Sequence, residues 1–137
     1  MNEGWLNDEY LALFSEAESA SISSKYKLPQ YLPGYTIVGL RGWDDFIIIS
    51  STGTMCSLPT MPLDPTMVVP FSLPENPSLE SDERFNGKIK WYLKPLLFGG
   101  DPQDKDNLAW VSLGQHAALV VWWNDLYKTL NAQADHD

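Results

Sequence analysis

The spacing of apolar residues changes along this chain, and the changes divide it into elements. Between residues 5 and 20, Leu6, Tyr10, Leu13, Phe14 and Ala17 recur at intervals of three and four, which predicts an amphipathic helix with that stripe on a core. Asp8, Glu9, Glu16 and Glu18 fall on the opposite side, and no basic residue precedes Lys25. Such a face is expected to be solvated, with its first acidic residues favoured by the helix dipole.

Pro29 and Pro33-Gly34 argue against further helix and open a β region. Tyr35 to Leu40 is rich in β-branched residues, Arg41 to Asp44 supplies a turn, and Phe46 to Ser50 reads as the strongest strand. A second turn at Ser51-Thr52-Gly53 leads into Thr54 to Leu58, so the three runs predict an antiparallel meander. The middle run is apolar at nearly every position, which implies cover on both faces.

Six of the ten prolines lie between residues 59 and 80. Proline cannot donate to a ladder, so this stretch predicts a crossing loop or edge segment. Its apolar content (Met61, Leu63, Met67, Val68, Val69, Phe71) predicts that it packs along the domain surface. Residues 88–98 read as a strand with Lys88, Lys90 and Lys94 towards solvent and a bulge or edge position at Pro95. Gly99-Gly100-Asp101-Pro102 breaks it, and Leu108 to Val111 suits a last strand.

Ser112 with Gln115 three residues on has the form of a capping box. Leu119, Trp122, Trp123, Leu126 and Leu130 continue as a helical stripe, predicting a helix over 113–131 and a frayed acidic tail over 132–137. The expected fold is α+β: one domain over 1–137, its core at about 5–131, with a central, largely antiparallel twisted sheet flanked by an N-terminal and a C-terminal helix.

Composition sharpens this picture. The 137 residues carry 18 Asp+Glu and 9 Lys+Arg, a formal charge of −9. The length suits one domain, able to bury roughly 68% of its unfolded surface, and 44% hydrophobic residues with six Trp supply the material. A net anion is repelled by nucleic acid and by anionic membranes, so neither is expected as a partner. A single cysteine, Cys56, excludes an internal disulfide, the first residues lack a leader-like pattern, and no run reaches the length of a membrane span. The cytoplasm is the expected compartment.

Catalytic signals are sparse, and the expectation is a protein that is not an enzyme and binds no cofactor or metal. His116 opens the last helix, where a solvent-exposed or capping role is expected, and His136 lies near the end of the chain. A Cys56–His116 nucleophile pair has no local support. A zinc cluster is missing. Asp101, Asp104 and Asp106 alternate as calcium ligands do, but the loop lacks the glycine and distal Glu of that geometry. No phosphate-binding glycine loop or nucleophile elbow occurs. Arg84, Lys88, Lys90 and Lys94 surround Trp91 and Tyr92, which in so acidic a chain suits a solvated strand face.

Interaction chemistry remains. Carboxylates gather in the expected turns: Asp44 and Asp45; Glu80, Asp82 and Glu83; Asp101, Asp104 and Asp106. Tryptophan is a frequent interface anchor, and its abundance here is also compatible with a homodimer. Acidic turns and tryptophans together suit a module facing a cationic protein.

The chain also resembles the SUKH superfamily. The resemblance lies in Leu32-Pro33-Gly34-Tyr35, the run Gly39 to Phe46, the strand–turn–strand with Gly53, and the Pro-rich stretch after it. It continues through Phe98-Gly99-Gly100-Asp101-Pro102, Trp110-Val111 and Trp122 to Tyr127, covering roughly residues 29–130. The dense prolines at 59–77 depart from that pattern. The resemblance implies one α+β domain and, for bacterial members, immunity proteins that bind and block a cognate toxin, often a nuclease or deaminase. It carries over no catalytic residues. The expected partner is a toxin domain with a basic surface, contacted through Asp44, Asp45, Asp101, Asp104 and Asp106. The alternative is a regulatory interaction module of the same fold, and a third reading is a small enzyme using Cys56 or His116.

Overall fold

Asn7 turns the first apolar run back on itself. In the computed structural model, which describes residues 1–136, Asn2–Leu6 (β1) and Glu9–Leu13 (β2) form an antiparallel hairpin in place of the expected helix over 5–20. Asn7 sits in the left-handed region (φ 56°), a conformation Asn tolerates, so Leu6 pairs directly with Glu9 across a two-residue turn. Tyr10, Leu11 and Ala12 are all buried. Three consecutive buried positions belong to a strand covered on both faces, and they override the helical spacing of Leu6, Tyr10 and Leu13.

The N-terminal helix starts later, at Glu16–Lys25 (α1). Ser15 caps it by accepting from the Glu18 amide at 3.2 Å, while the Glu18 carboxylate accepts from the Ser15 amide at 2.8 Å. Ile22 and the following Tyr26 enter the core. Ser23 Oγ accepts from the Ile37 amide at 2.8 Å, satisfying a strand donor that β2 is too short to reach. A single helical turn, Leu28–Tyr31 (α2), forms with Pro29 in its first turn, where the missing N–H costs nothing.

The expected meander follows as Tyr35–Arg41 (β3), Asp45–Ser50 (β4) and Met55–Pro59 (β5). With the hairpin and a short edge strand, Val69–Pro70 (β6), it makes a six-stranded sheet in the order β1-β2-β3-β4-β5-β6, antiparallel at every pairing. Phe46, Ile47 and Ile48 are all fully buried, so β4 is covered on both faces as its composition predicted. A bulge falls between Ile37 and Gly39, and a side chain at Gly39 would lie 2.7 Å from the Ala12 carbonyl oxygen.

The proline-rich stretch behaves as its composition requires. It supplies the edge strand β6, buries Leu63, and then runs from that edge to the opposite one, where Glu80 bridges to Trp5. On the way Arg41 lies over the Phe71 ring at 4.6 Å. A separate two-stranded ribbon follows, Ile89–Tyr92 (β7) with Leu108–Val111 (β8).

The last helix, Leu113–His136 (α3), begins at the expected capping box: Ser112 accepts from the Gln115 amide and Gln115 from the Ser112 amide. It extends past residue 131, and Asp137 and the His136 side chain lie outside what the structure describes. Asn124, buried on α3, accepts from the Leu63 amide at 2.8 Å and donates to the Thr60 carbonyl at 2.9 Å, tying helix to proline-rich segment. The core lies between sheet and helices, around Tyr26, Ile37, Phe46, Ile48, Leu58 and Val120. The fold is therefore α+β, with the helices arranged as expected and the first of them displaced by a hairpin. Among the described residues, no helix is long and apolar enough to cross a membrane.

Candidate functional site

The β3–β4 turn is shaped by two consecutive residues with positive φ, Gly42 (60°) and Trp43 (65°). A tryptophan in that region is strained, and packing holds it there. Its ring stacks on Tyr10 at 5.0 Å and meets Phe85 and Trp110 edge-on, each at 5.2 Å. Trp5 completes the cluster, and its Nε1 donates to Asp82 at 3.0 Å. Aromatic contacts of this kind contribute about 0.5–1.5 kcal/mol each beyond their buried area. They fasten the β7–β8 ribbon against the sheet and fix where the next two residues, Asp44 and Asp45, stand.

Asp44 and Asp45 line a cleft of about 210 Å³, Asp45 from the start of a strand whose register puts its side chain on the face of Arg41 and Glu9. Pro59, Thr60 and Met61 form one wall, and Trp91, Leu96 and Leu97 belong to the other. Burial raises the pKa of both carboxyls, most directly by removing water from the charged form; for Asp45 the neighbouring Asp44 charge adds to the rise. Lys90 opposes it at Asp44, with its ammonium 3.6 Å from the carboxylate. The Asp44 side chain keeps 58% of its exposure, so it stands at the mouth of the cleft and this pairing is worth under about 1 kcal/mol.

Lys90 was expected to face solvent with Lys88 and Lys94. The structure corrects this: Lys88 and Lys94 are exposed, whereas the Lys90 side chain is 23% exposed and lies 5.9 Å from the Trp43 ring centroid and 5.2 Å from that of Tyr92. Strand alternation puts Lys90 and Tyr92 on one side of β7, and the cross-strand neighbour of Lys90 is Trp110. That side meets the acidic turn.

The apolar rim is formed by a 3₁₀ turn, Leu96–Phe98. Leu96 and Leu97 are exposed, as is Leu93 just before them. Phe98 packs on Trp123 at 4.9 Å, and Trp123 on Trp122, which is 58% exposed. A continuous line of apolar contacts thus leads from the acidic cleft to an uncovered indole on α3. Asn107 holds the turn in place: its Oδ1 accepts from the Lys94 amide at 2.7 Å and its Nδ2 donates to the Lys94 carbonyl at 3.0 Å.

Asp101, Asp104 and Asp106 do not join Asp44 and Asp45. They sit on a separate exposed loop and do not line the cleft. Asp101 accepts from the Gln103 amide and Asp104 from the Asp106 amide, each carboxylate closing its own turn. Among the described residues, no group of three or more His, Cys, Asp or Glu is placed to hold a metal ion.

His116 departs furthest from expectation. It is wholly buried, with Nδ1 2.7 Å from the Tyr26 hydroxyl and its ring 5.5 Å from that of Trp91. Burial lowers its pKa to about 4, so it is neutral at pH 7. Cys56 is half-buried on β5, paired with Ile48 and Pro70. His116 is therefore a core residue and not the solvent-exposed cap its position suggested. Comparison with family models, curated proteins and solved structures found no match to this chain.

Proposed function

We propose that the chain is a protein-binding module whose contact surface is the Asp44–Asp45 cleft and the exposed Leu96–Leu97 turn beside it. The observation that carries this reading is the adjacency itself: the acidic turn at Asp44 lines the same cleft as the uncovered Leu96 and Leu97. An apolar centre next to unneutralised charge suits a partner that brings cations and a hydrophobic surface together.

With a net charge of −9 and the SUKH resemblance, the reading extends to an immunity protein of the bacterial cytoplasm. It would bind a cognate toxin domain, such as a nuclease, and occlude the basic surface on which that toxin holds its substrate. The test is co-expression with the toxin domain encoded beside this gene. Survival of the cells together with a purified complex is expected, and the double variant Asp44→Asn/Asp45→Asn should lose both. If the unaltered chain gives no protection and forms no complex, the immunity reading is removed.

A further inference from the structure

The outer strands of this fold are closed in different ways, and one is left open. On the six-stranded sheet, β6 is two residues long and ends on Pro70, which has no amide to offer a further strand. At the opposite edge Trp5 exchanges both backbone hydrogen bonds with Glu80, at 2.7 and 2.9 Å. The β7–β8 ribbon pairs with no third strand. β7 carries Lys90, a charge of the kind that discourages edge pairing. β8, Leu-Ala-Trp-Val, has neither charge nor proline.

The register shows which backbone groups of β8 face outward. The Leu93 amide donates to the Asn107 carbonyl at 2.8 Å, so Trp91–Ala109 and Ile89–Val111, at two-residue steps from it, are the hydrogen-bonded pairs of the ladder. Leu108 and Trp110 fall between them, and their backbone groups point away from β7. The Leu108 amide donates to the Lys105 carbonyl. The Leu108 carbonyl and both backbone groups of Trp110 make no hydrogen bond among the described residues. Leu108 is 39% exposed and Trp110 40%. An extended chain presents donors and acceptors at the same two-residue step, with side chains that can lie beside Leu108 and Trp110.

Charge lies at one end of this edge. Asp101, Asp104 and Asp106 precede β8 with Lys105 the one cation among them, while no Asp, Glu, Lys or Arg occurs from Asn107 to Asn124. A strand laid antiparallel along β8 ends, at its own C-terminus, beside that acidic loop. We infer that the β8 edge takes an extended segment of a partner protein, paired antiparallel through Trp110 and Leu108, apolar at alternate positions and basic at its C-terminal end. The segment adds a third strand to the ribbon. This edge is a different surface from the Asp44 cleft, and the inference does not rest on the reading of that cleft.

The probe is the peptide acetyl-Thr-Val-Thr-Val-Thr-Lys-Arg-amide. Its control, acetyl-Lys-Arg-Thr-Val-Thr-Val-Thr-amide, has the same composition with the charges at the other end. Each is titrated at low salt into the full chain, and amide hydrogen exchange is followed by NMR. In the free chain the Ala109 and Val111 amides should exchange slowly and the Trp110 amide fast. At saturation the first peptide should slow Trp110 exchange by about tenfold or more and leave Ala109 unchanged. The control should bind several-fold more weakly. Leu108→Lys puts a charge on the edge and should weaken the first peptide about tenfold, with the same denaturation midpoint as the unaltered chain. A Trp110 amide already protected in the free chain would overturn the inference. If the free chain is then a dimer by gel filtration, a second copy holds the edge; if a monomer, the chain covers it itself. Binding that leaves the Trp110 amide unprotected, equal binding of the two peptides, or undiminished binding by Leu108→Lys would overturn it as well. The assay needs no toxin, so its failure and that of the immunity reading are separate.

Discussion

The Tyr26 hydroxyl and Nδ1 of His116 stand 2.7 Å apart although 90 positions separate them in the chain. Tyr26 follows α1 and His116 lies in the first turn of α3, so this contact joins the two helices through the core beneath Phe46 and Trp91. Burial pushes the Tyr26 phenol far up and the imidazole down to about 4, which keeps both groups neutral at pH 7. When the hydroxyl donates, the ring proton sits on Nε2, which finds no hydrogen-bond partner among the described residues.

Stability should therefore fall in mild acid. An unfolded histidine takes up a proton near pH 6.5, and the folded His116 only near 4. Between these values the unfolded state binds more protons, so lowering the pH through that window removes stability, in total about 3 kcal/mol. Asp44 and Asp45 act in the opposite sense, because their raised pKa values favour the protonated fold. Urea midpoints at pH 7, 6 and 5 should decline for the unaltered chain. The decline should flatten in His116→Gln, even if that variant starts lower; an unchanged slope would place the titration elsewhere.

Gly100 should tolerate no side chain. A Cβ there would overlap the Lys94 carbonyl oxygen, which is backbone and itself accepts from Asn107. Gly100→Ala should cost about 1–3 kcal/mol by forcing those strands of loop apart. It should also shift the Asn107 side-chain amide resonances and loosen the Leu96–Phe98 turn. Chemical denaturation with NMR checks both, and a neutral result would mean the loop relaxes without penalty.

The legible parts of this fold are those governed by neighbours in sequence. The capping box at Ser112 and Gln115 is a local hydrogen-bond pattern, and the run Phe46 to Ile48 can only be a strand covered on both faces. The first helix was misplaced because Leu6, Tyr10 and Leu13 fit a helical period as well as a hairpin. The deciding signals were the Asn7-Asp8 turn and a second capping box at Ser15 and Glu18. Asp44 and Asp45 were identifiable as turn carboxylates, but their cleft needs Met61 and Leu96, distant in sequence. Nothing local to His116 shows that Tyr26 waits beside it. Only for Lys90 was a signal missed: its two-residue spacing from Tyr92 puts both on one face of a strand.

Tryptophans in this chain should divide by what they touch. Trp43 packs against Trp5, Tyr10, Phe85 and Trp110, so Trp43→Ala should cost about 3–5 kcal/mol and release the ribbon from the sheet. Trp122 is 58% exposed, and Trp122→Ala should stay within about 0.5 kcal/mol of the unaltered chain. If that surface binds the partner, the second variant should weaken the complex while unfolding at the same denaturant concentration. Equal destabilisation by both would show that Trp122 belongs to the packed interior.

Asp45 should be a residue the free protein is better without. Its carboxylate is partly desolvated and repelled by Asp44, which outweighs the relief from an Arg41 already engaged with Glu9. Asp45→Asn keeps the shape and removes the charge, and should raise stability at pH 7 by about 0.5 kcal/mol, a value limited by solvent at the cleft mouth. The gain should shrink as the pH falls and the native carboxyl takes up its own proton. Asp44→Asn instead loses the Lys90 pairing and should be neutral or slightly destabilised. Denaturation of the two variants side by side decides the matter. If Asp45→Asn is the less stable one, the carboxylate is already held by the free protein, beside Arg41, and has no uncompensated charge with which to draw in a partner.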